Sequence, residues 1–145
     1  MSEVKAGSQQ LGSYPFQTEI GVRHTDLDVQ KCVNNVALAD IFEDARTQYS
    51  VGRKLKGAFD PNRRVIDSMT IRFGEDGCYP GSLSVHAGVA TITQQSWTLR
   101  LVATQKDRTI ATNDCTFKLL DGEGAAVALP PQLVQILERD RLTES

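Results

Sequence analysis

Hydrophobic and polar residues change rhythm several times along this chain, and each change marks an element. Phe16, Ile20 and Val22 keep the two-residue alternation of extended backbone, predicting a strand over 14–24. From Val36 the period lengthens. Leu38, Ile41, Phe42, Ala45 and Tyr49 stand at i, i+3, i+4, i+7 and i+11 on one helical face, while Asp40, Glu43, Asp44 and Thr47 fall elsewhere around it. Asn34 or Asn35 is expected to cap the start of this helix and Gly52 to stop it. The stretch 25–35 between strand and helix is rich in turn and capping residues and reads as a connecting loop.

After a polar connection through Gly57, Asp60, Pro61 and Asn62 the alternation returns. Val65, Asp67, Met69, Ile71 and Phe73 alternate, and 74–77 marks a turn. Leu83, Val85, Ala87, Val89 and Thr91 then share a face, followed by Trp97, Leu99, Leu101 and Ala103, and by Ala111, Cys115, Phe117 and Leu119. Pro130 and Pro131 open a short final helix carrying Leu133, Ile136 and Leu137. Short turns between the later strands favour antiparallel neighbours. The order is strand, long helix, four strands, short helix, which is an α+β pattern.

Composition narrows the class. A chain of 145 residues, 40% hydrophobic and 23% charged, suits one globular domain with a sizeable core. We expect a disordered lead-in over 1–13 and a single domain over 14–145. The net charge of −2 offers no basic surface for nucleic acid, and no apolar run is long enough to span a membrane. The start is polar and lacks the apolar centre of a secretory signal, so a cytoplasmic protein is expected. Cys32, Cys78 and Cys115 are too few and too scattered for a disulfide framework or a zinc site, and are expected as reduced thiols. No metal cluster, phosphate loop or dinucleotide fingerprint stands out.

Chemistry concentrates where the first strand runs into the helix. Arg23-His24-Thr25-Asp26-Leu27-Asp28 precedes Val33-Asn34-Asn35, and Phe42-Glu43-Asp44-Ala45-Arg46 follows. Two carboxylates thus stand a few residues from a helix N-terminus, whose unpaired N–H groups suit a developing oxyanion.

These same residues resemble the opening motif of hotdog-fold acyl-CoA thioesterases of the 4-hydroxybenzoyl-CoA thioesterase type, which carry Asp-x-Asp, Gly-His, Val-Asn-Asn and Glu-Ala-Arg at this spacing. The resemblance implies a five-stranded antiparallel sheet wrapped around one long helix, and hydrolysis of an acyl-CoA or acyl carrier protein thioester. It implies no cofactor, CoA being part of the substrate, and a homodimer or homotetramer with its sites at the subunit boundary. Carried over position by position, Asp28 is the general base or nucleophile and the backbone N–H at Asn35 the oxyanion donor. Asn34, Arg63 and Arg64 are the expected substrate contacts, the arginines standing in a basic run with Arg53, Lys54 and Lys56 that could meet CoA phosphates.

Residue chemistry alone offers plainer roles. An Asp such as Asp28 commonly braces a loop or caps a helix, and Asn34 and Asn35 are ordinary capping residues. Glu43 and Arg46, at i, i+3, form a surface or subunit-contact ion pair in the simplest reading. Cys32 reads as a buried, inert thiol, since a nucleophilic Cys needs a histidine that spacing does not supply. The motif also departs from its relatives: Lys31-Cys32 replaces Gly-His, which puts rate and substrate in doubt. Two alternatives therefore stand beside hydrolysis: a non-catalytic acyl-CoA-binding module and, further behind, an acyl hydratase or dehydratase.

Overall fold

Eighteen residues, Asn35–Gly52, form the central helix α1, and the sheet is built around its apolar stripe. The computed structural model describes residues 11–143. The face read from the helical period, Leu38, Ile41, Phe42, Ala45 and Tyr49, is buried throughout, whereas Asp40, Glu43, Asp44 and Thr47 are exposed. Each large side chain in that stripe contributes about 1.5–3 kcal/mol of burial, which outweighs the weak intrinsic helicity of a stretch containing four β-branched residues.

Strand β1 is Phe16–Gly21, shorter than predicted because the chain turns into a 3₁₀ segment at His24–Asp26. Strands β2 (Arg63–Phe73), β3 (Ser82–Ile92), β4 (Ser96–Gln105) and β5 (Arg108–Leu120) follow α1, all pairs antiparallel, in the order β1-β3-β4-β5-β2. A two-residue strand β6, Ala126–Val127, adds to β5 and makes six strands where five were expected. The final helix α3 spans Pro131–Arg139. A one-turn helix α2, Leu55–Phe59, occupies what reads in sequence as polar connection; it buries Leu55 and Phe59, a pattern too short to show a period. This is the hotdog arrangement, an antiparallel sheet curled around one long helix.

Two β-bulges alter the faces that strict alternation predicts. In β2 the pairing jumps from Ile66–Phe117 to Ser68–Thr116, so the extra residue Asp67 turns outward to Lys118. Arg64 and Ile66 thereby join Met69, Ile71 and Phe73 on the helix side, replacing Val65 and Asp67. In β3 a skip between Val89 and Thr91 leaves Thr91 exposed and puts Ile92 opposite Trp97. The β4–β5 hairpin turns through Lys106 and Asp107, at φ 51° and 66°, the doubly left-handed geometry that matches strand twist.

The expected lead-in falls partly outside the described residues. Leu11–Ser13 makes a 3₁₀ turn, and Tyr14 behind it is buried against Val102 and Leu142 on the outer face of the sheet. Among the described residues no helix is long and apolar enough to cross a membrane.

Candidate functional site

The connection between β1 and α1 closes into a narrow hairpin rather than an open loop. The Asn34 N–H donates to the Asp26 carbonyl at 2.8 Å, Leu27 bridges Val33, and the Asp28 N–H donates to the Cys32 carbonyl at 2.8 Å. The Asp28 carboxylate braces the tip, its Oδ1 accepting from the N–H groups of Gln30 at 2.8 Å and Cys32 at 3.1 Å. Lys31 completes the turn at φ 69°, the left-handed conformation that glycine takes without cost and lysine does not. The backbone demand is thus the one a glycine would meet here, and this chain meets it with Lys31.

At the hairpin's inner end stands the start of α1. Asn34 is the cap: its Oδ1 accepts from the Ala37 N–H at 2.7 Å, and its carbonyl takes the Leu38 N–H at 3.0 Å. The N–H groups of Asn35 and Val36 have no hydrogen-bond partner among the described residues, as the first turn of a helix dictates. Both residues are exposed and line a cavity of about 310 Å³ with Arg23, Thr25, Asp26, Asn34, Ala37 and Asp40. A second cavity of about 520 Å³ shares Arg23, Asp26, Ala37 and Asp40 with the first and continues between β1 and α1.

Asp26 and Asp40 both border the two cavities, and of these carboxylates Asp26 is the buried one. Its oxygens accept from the Arg23 guanidinium (Nη2 at 2.8 Å) and from the Arg23 N–H at 2.8 Å. The Arg23 hydrogen bonds hold the Asp26 carboxyl below the usual carboxylate range, while the same contact raises Arg23. A carboxylate so satisfied is a poor proton acceptor and a good strut for the helix start. Asp28, by contrast, is exposed, its second oxygen has no partner among the described residues, and it lines neither cavity.

The basic run separates by partner. Arg53 is committed elsewhere: its Nε donates to Asp140 at 2.6 Å, and Tyr49 Oη donates to the same carboxylate at 2.7 Å. Lys54, Lys56, Arg63 and Arg64 come together around a groove of about 650 Å³ beside Thr47, Ser50, Val51 and Phe59. Lys56 is paired there with Asp60 at 2.9 Å. The Arg64 guanidinium lies 4.6 Å from the centre of the Phe117 ring, and burial together with the nearby Arg46 charge lowers its pKa.

Arg46 corrects the sequence reading. It makes no surface pair with Glu43: it is 4% exposed, and its Nη1 donates to Asn113 Oδ1 at 2.7 Å. Asn113, itself fully buried, passes the connection on through Nδ2 to the Thr70 carbonyl at 3.1 Å, tying α1 to β5 and β2. Nothing in the helical period signals this, because Asn113 meets Arg46 only once the sheet curls. Cys32 is half-buried rather than buried, and it stands directly opposite Cys78, a neighbour that spacing could not reveal. Burial, with Asp76 nearby, raises the Cys32 thiol. Among the described residues no group of metal-ligating side chains comes together.

Comparisons with known proteins bear on the fold. No protein-family model matches the chain, and no curated protein sequence matches it. Solved structures do. YbaW of Escherichia coli, described as a probable thioesterase, superposes with a TM-score of 0.73 at 24% identity, over 86% of this chain and 97% of its own. The PA5185 protein of Pseudomonas aeruginosa gives 0.78 at 20% identity, over 92% of this chain and 96% of its own. SAV2348 of Staphylococcus aureus, whose structure is a complex with CoA, gives 0.78 at 12% identity, over 90% of this chain and 87% of its own. At these identities the likeness lies in the fold, and it spans nearly the whole of each molecule.

Proposed function

We propose that this protein hydrolyses acyl thioesters of CoA or of an acyl carrier protein, as the resemblance of its motif to hotdog thioesterases suggests. The observation that carries the reading is the pair of unpartnered amides, Asn35 and Val36, opening on a cavity at the start of α1. A thioester carbonyl oxygen seated there receives two N–H donors and the positive end of the helix dipole, about half an elementary charge. Each such donor is worth roughly 3–4 kcal/mol in the transition state. Asn34, whose side chain caps the helix, borders the same cavity and shapes the acyl entrance.

Asp28 supplies the base or the nucleophile in this proposal. Its Oδ1 is pinned by the Gln30 and Cys32 amides, which leaves the other oxygen oriented and unpaired to accept a proton from water or to attack the carbonyl carbon. The groove of Lys54, Lys56, Arg63 and Arg64 takes the CoA phosphates. Its helix residues Thr47, Ser50 and Val51 lie 12–16 positions beyond Asn35, so on one helix it stands about 18–24 Å from the oxyanion cavity.

A homodimer shortens that span. Among the described residues no strand pairs with the outer edge of β2, and its helix-side residues Ile66, Met69 and Phe73 remain 49%, 45% and 48% exposed. Pairing two such edges about a two-fold axis covers this apolar strip and sets the two α1 helices antiparallel, which brings one protomer's basic groove toward the other's helix start.

The test is thiol release from short, long and aromatic acyl-CoAs, with Asp28→Asn as the control. Asn keeps the Oδ1 acceptor for both loop amides and removes only the charge, so the fold should persist while turnover falls at least ~10²-fold. Equal rates in both proteins would remove Asp28 from the mechanism. The exposed position of Asp28, away from the lining of both cavities, favours the second reading, an acyl-CoA-binding module without turnover. Tight binding with no thiol release across the panel would establish it in place of the hydrolase.

A further inference from the structure

The hairpin before α1 touches the connection between β2 and β3 at one isolated antiparallel bridge, and that bridge pairs Cys32 with Cys78. Neither cysteine spends its backbone groups on the other. The Cys32 N–H donates to Asp28 Oδ1 and its carbonyl accepts from the Asp28 N–H. The Cys78 N–H donates to Gln105 Oε1 at 2.8 Å, and its carbonyl accepts from Gln105 Nε2 at 3.0 Å. The bond between the two segments sits one step along, from the Val33 N–H to the Gly77 carbonyl at 3.1 Å. The cysteines therefore form a non-hydrogen-bonded cross-strand pair, the kind whose Cα atoms approach to about 4.5 Å and whose side chains stand closest. That separation lies within the 4.4–6.8 Å range a disulfide requires.

Tight contact holds the two segments at this spacing. A Cβ on Gly77 would stand 3.1 Å from Val33 Cγ2, so the segments approach more closely there than a side chain at 77 would permit. Both cysteines are also accessible: Cys78 is exposed and Cys32 half-buried, whereas Cys115 is fully buried. The Arg108 guanidinium reaches Cys78 Sγ, Nη2 to sulfur 3.8 Å.

We propose that Cys32 and Cys78 are a reversible thiol–disulfide site that fastens the Asp28 hairpin to the β2–β3 connection. The oxidant is a small-molecule disulfide. The Cys78 thiolate attacks one of its sulfurs, the S–S bond breaks, and one small thiolate leaves and takes a proton from solvent. Cys32, losing its proton to water, then attacks Cys78 Sγ, and the second small thiolate leaves. Two protein thiols are oxidised and one small disulfide is reduced to two thiols. Burial and Asp76 raise the Cys32 thiol, which suits it to the second, resolving step.

The test uses the full chain treated with oxidised glutathione and needs no enzymatic activity, so its failure and that of the thioesterase reading are separate. Thiol titration in denaturant should fall from three to one per chain, the chain should stay monomeric on non-reducing gels, and proteolytic fragments should show Cys32 joined to Cys78. Dithiothreitol should restore three thiols. Cys32→Ser should stop at a single glutathione adduct on Cys78. Three thiols remaining, separate glutathione adducts on both cysteines of the unsubstituted protein, or disulfides between chains would each overturn the proposal.

Discussion

Tyr14 carries a polar atom that the fold leaves stranded, and this makes a sharp test of the packing on the outer face of the sheet. The residue is 7% exposed, packs with Val102 and Leu142, and meets the His86 ring edge-on at 6.3 Å. Its hydroxyl is the one buried side-chain polar atom without a hydrogen-bond partner among the described residues. Such an orphan forfeits about 1–3 kcal/mol of hydration, while the ring around it contributes favourably by burial. Tyr14→Phe keeps the ring and removes the orphan, so at pH 7.5 it should be neutral or stabilising by up to ~1 kcal/mol. The alkaline limb sharpens this. Burial pushes the Tyr14 pKa from 10.0 up to about 12, so above pH 10 the unfolded chain releases this proton while the folded chain holds it. The contribution is fully present below pH 10 and is lost as pH rises from 10 to 12, roughly 2–3 kcal/mol in all and about 1.4 kcal/mol of it by pH 11. Urea unfolding of both proteins at pH 7.5 and pH 11 measures it, the difference between them cancelling every other titrating group. A loss of more than 1 kcal/mol in the variant at pH 7.5, or parallel losses in both proteins at pH 11, would refute the reasoning.

The remaining expectations concern the two ends of α1. Asp140→Ala removes the carboxylate that Tyr49 and Arg53 share, leaves Arg53 the Pro15 carbonyl, and should cost about 2–3 kcal/mol in urea unfolding. In that background Tyr49→Phe should cost far less than the ~1 kcal/mol it costs alone, a coupling that a double-mutant cycle reads directly. Lys31→Gly relieves the left-handed backbone at φ 69°, and after the glycine's extra unfolded-state entropy it should stabilise by about 0.5–1 kcal/mol, seen as a higher urea midpoint at unchanged slope. The Arg23 contact depresses the Asp26 pKa, so its stabilisation is present above the unfolded value near 4 and disappears as pH falls below it. Asp26→Asn should therefore flatten the acid limb of a stability–pH curve below pH 4 while leaving its neutral part parallel to that of the unsubstituted protein.

Periods and caps are local properties, and they are what the amino-acid order settles. The buried stripe Leu38 to Tyr49, the inward residues of β4 and β5, and the cap at Asn34 all follow from contacts within a few residues, so the α+β class and the position of α1 were legible before any coordinates. The bracing of Asp28 by residues two and four further on belongs to the same category. Other features depend on which segments meet. The bulge at Asp67 reverses the facing of Arg64 and Ile66 because register is set against β5, not by β2 itself. Arg46 lies inward because Asn113 waits for it across the curled sheet, and Cys32 has a sulfur neighbour only because two loops distant in sequence share one bridge. Long-range pairing is selected by the burial of the whole core. A side chain's place in the motif could therefore be read from order alone, while the groups it faces were decided by packing.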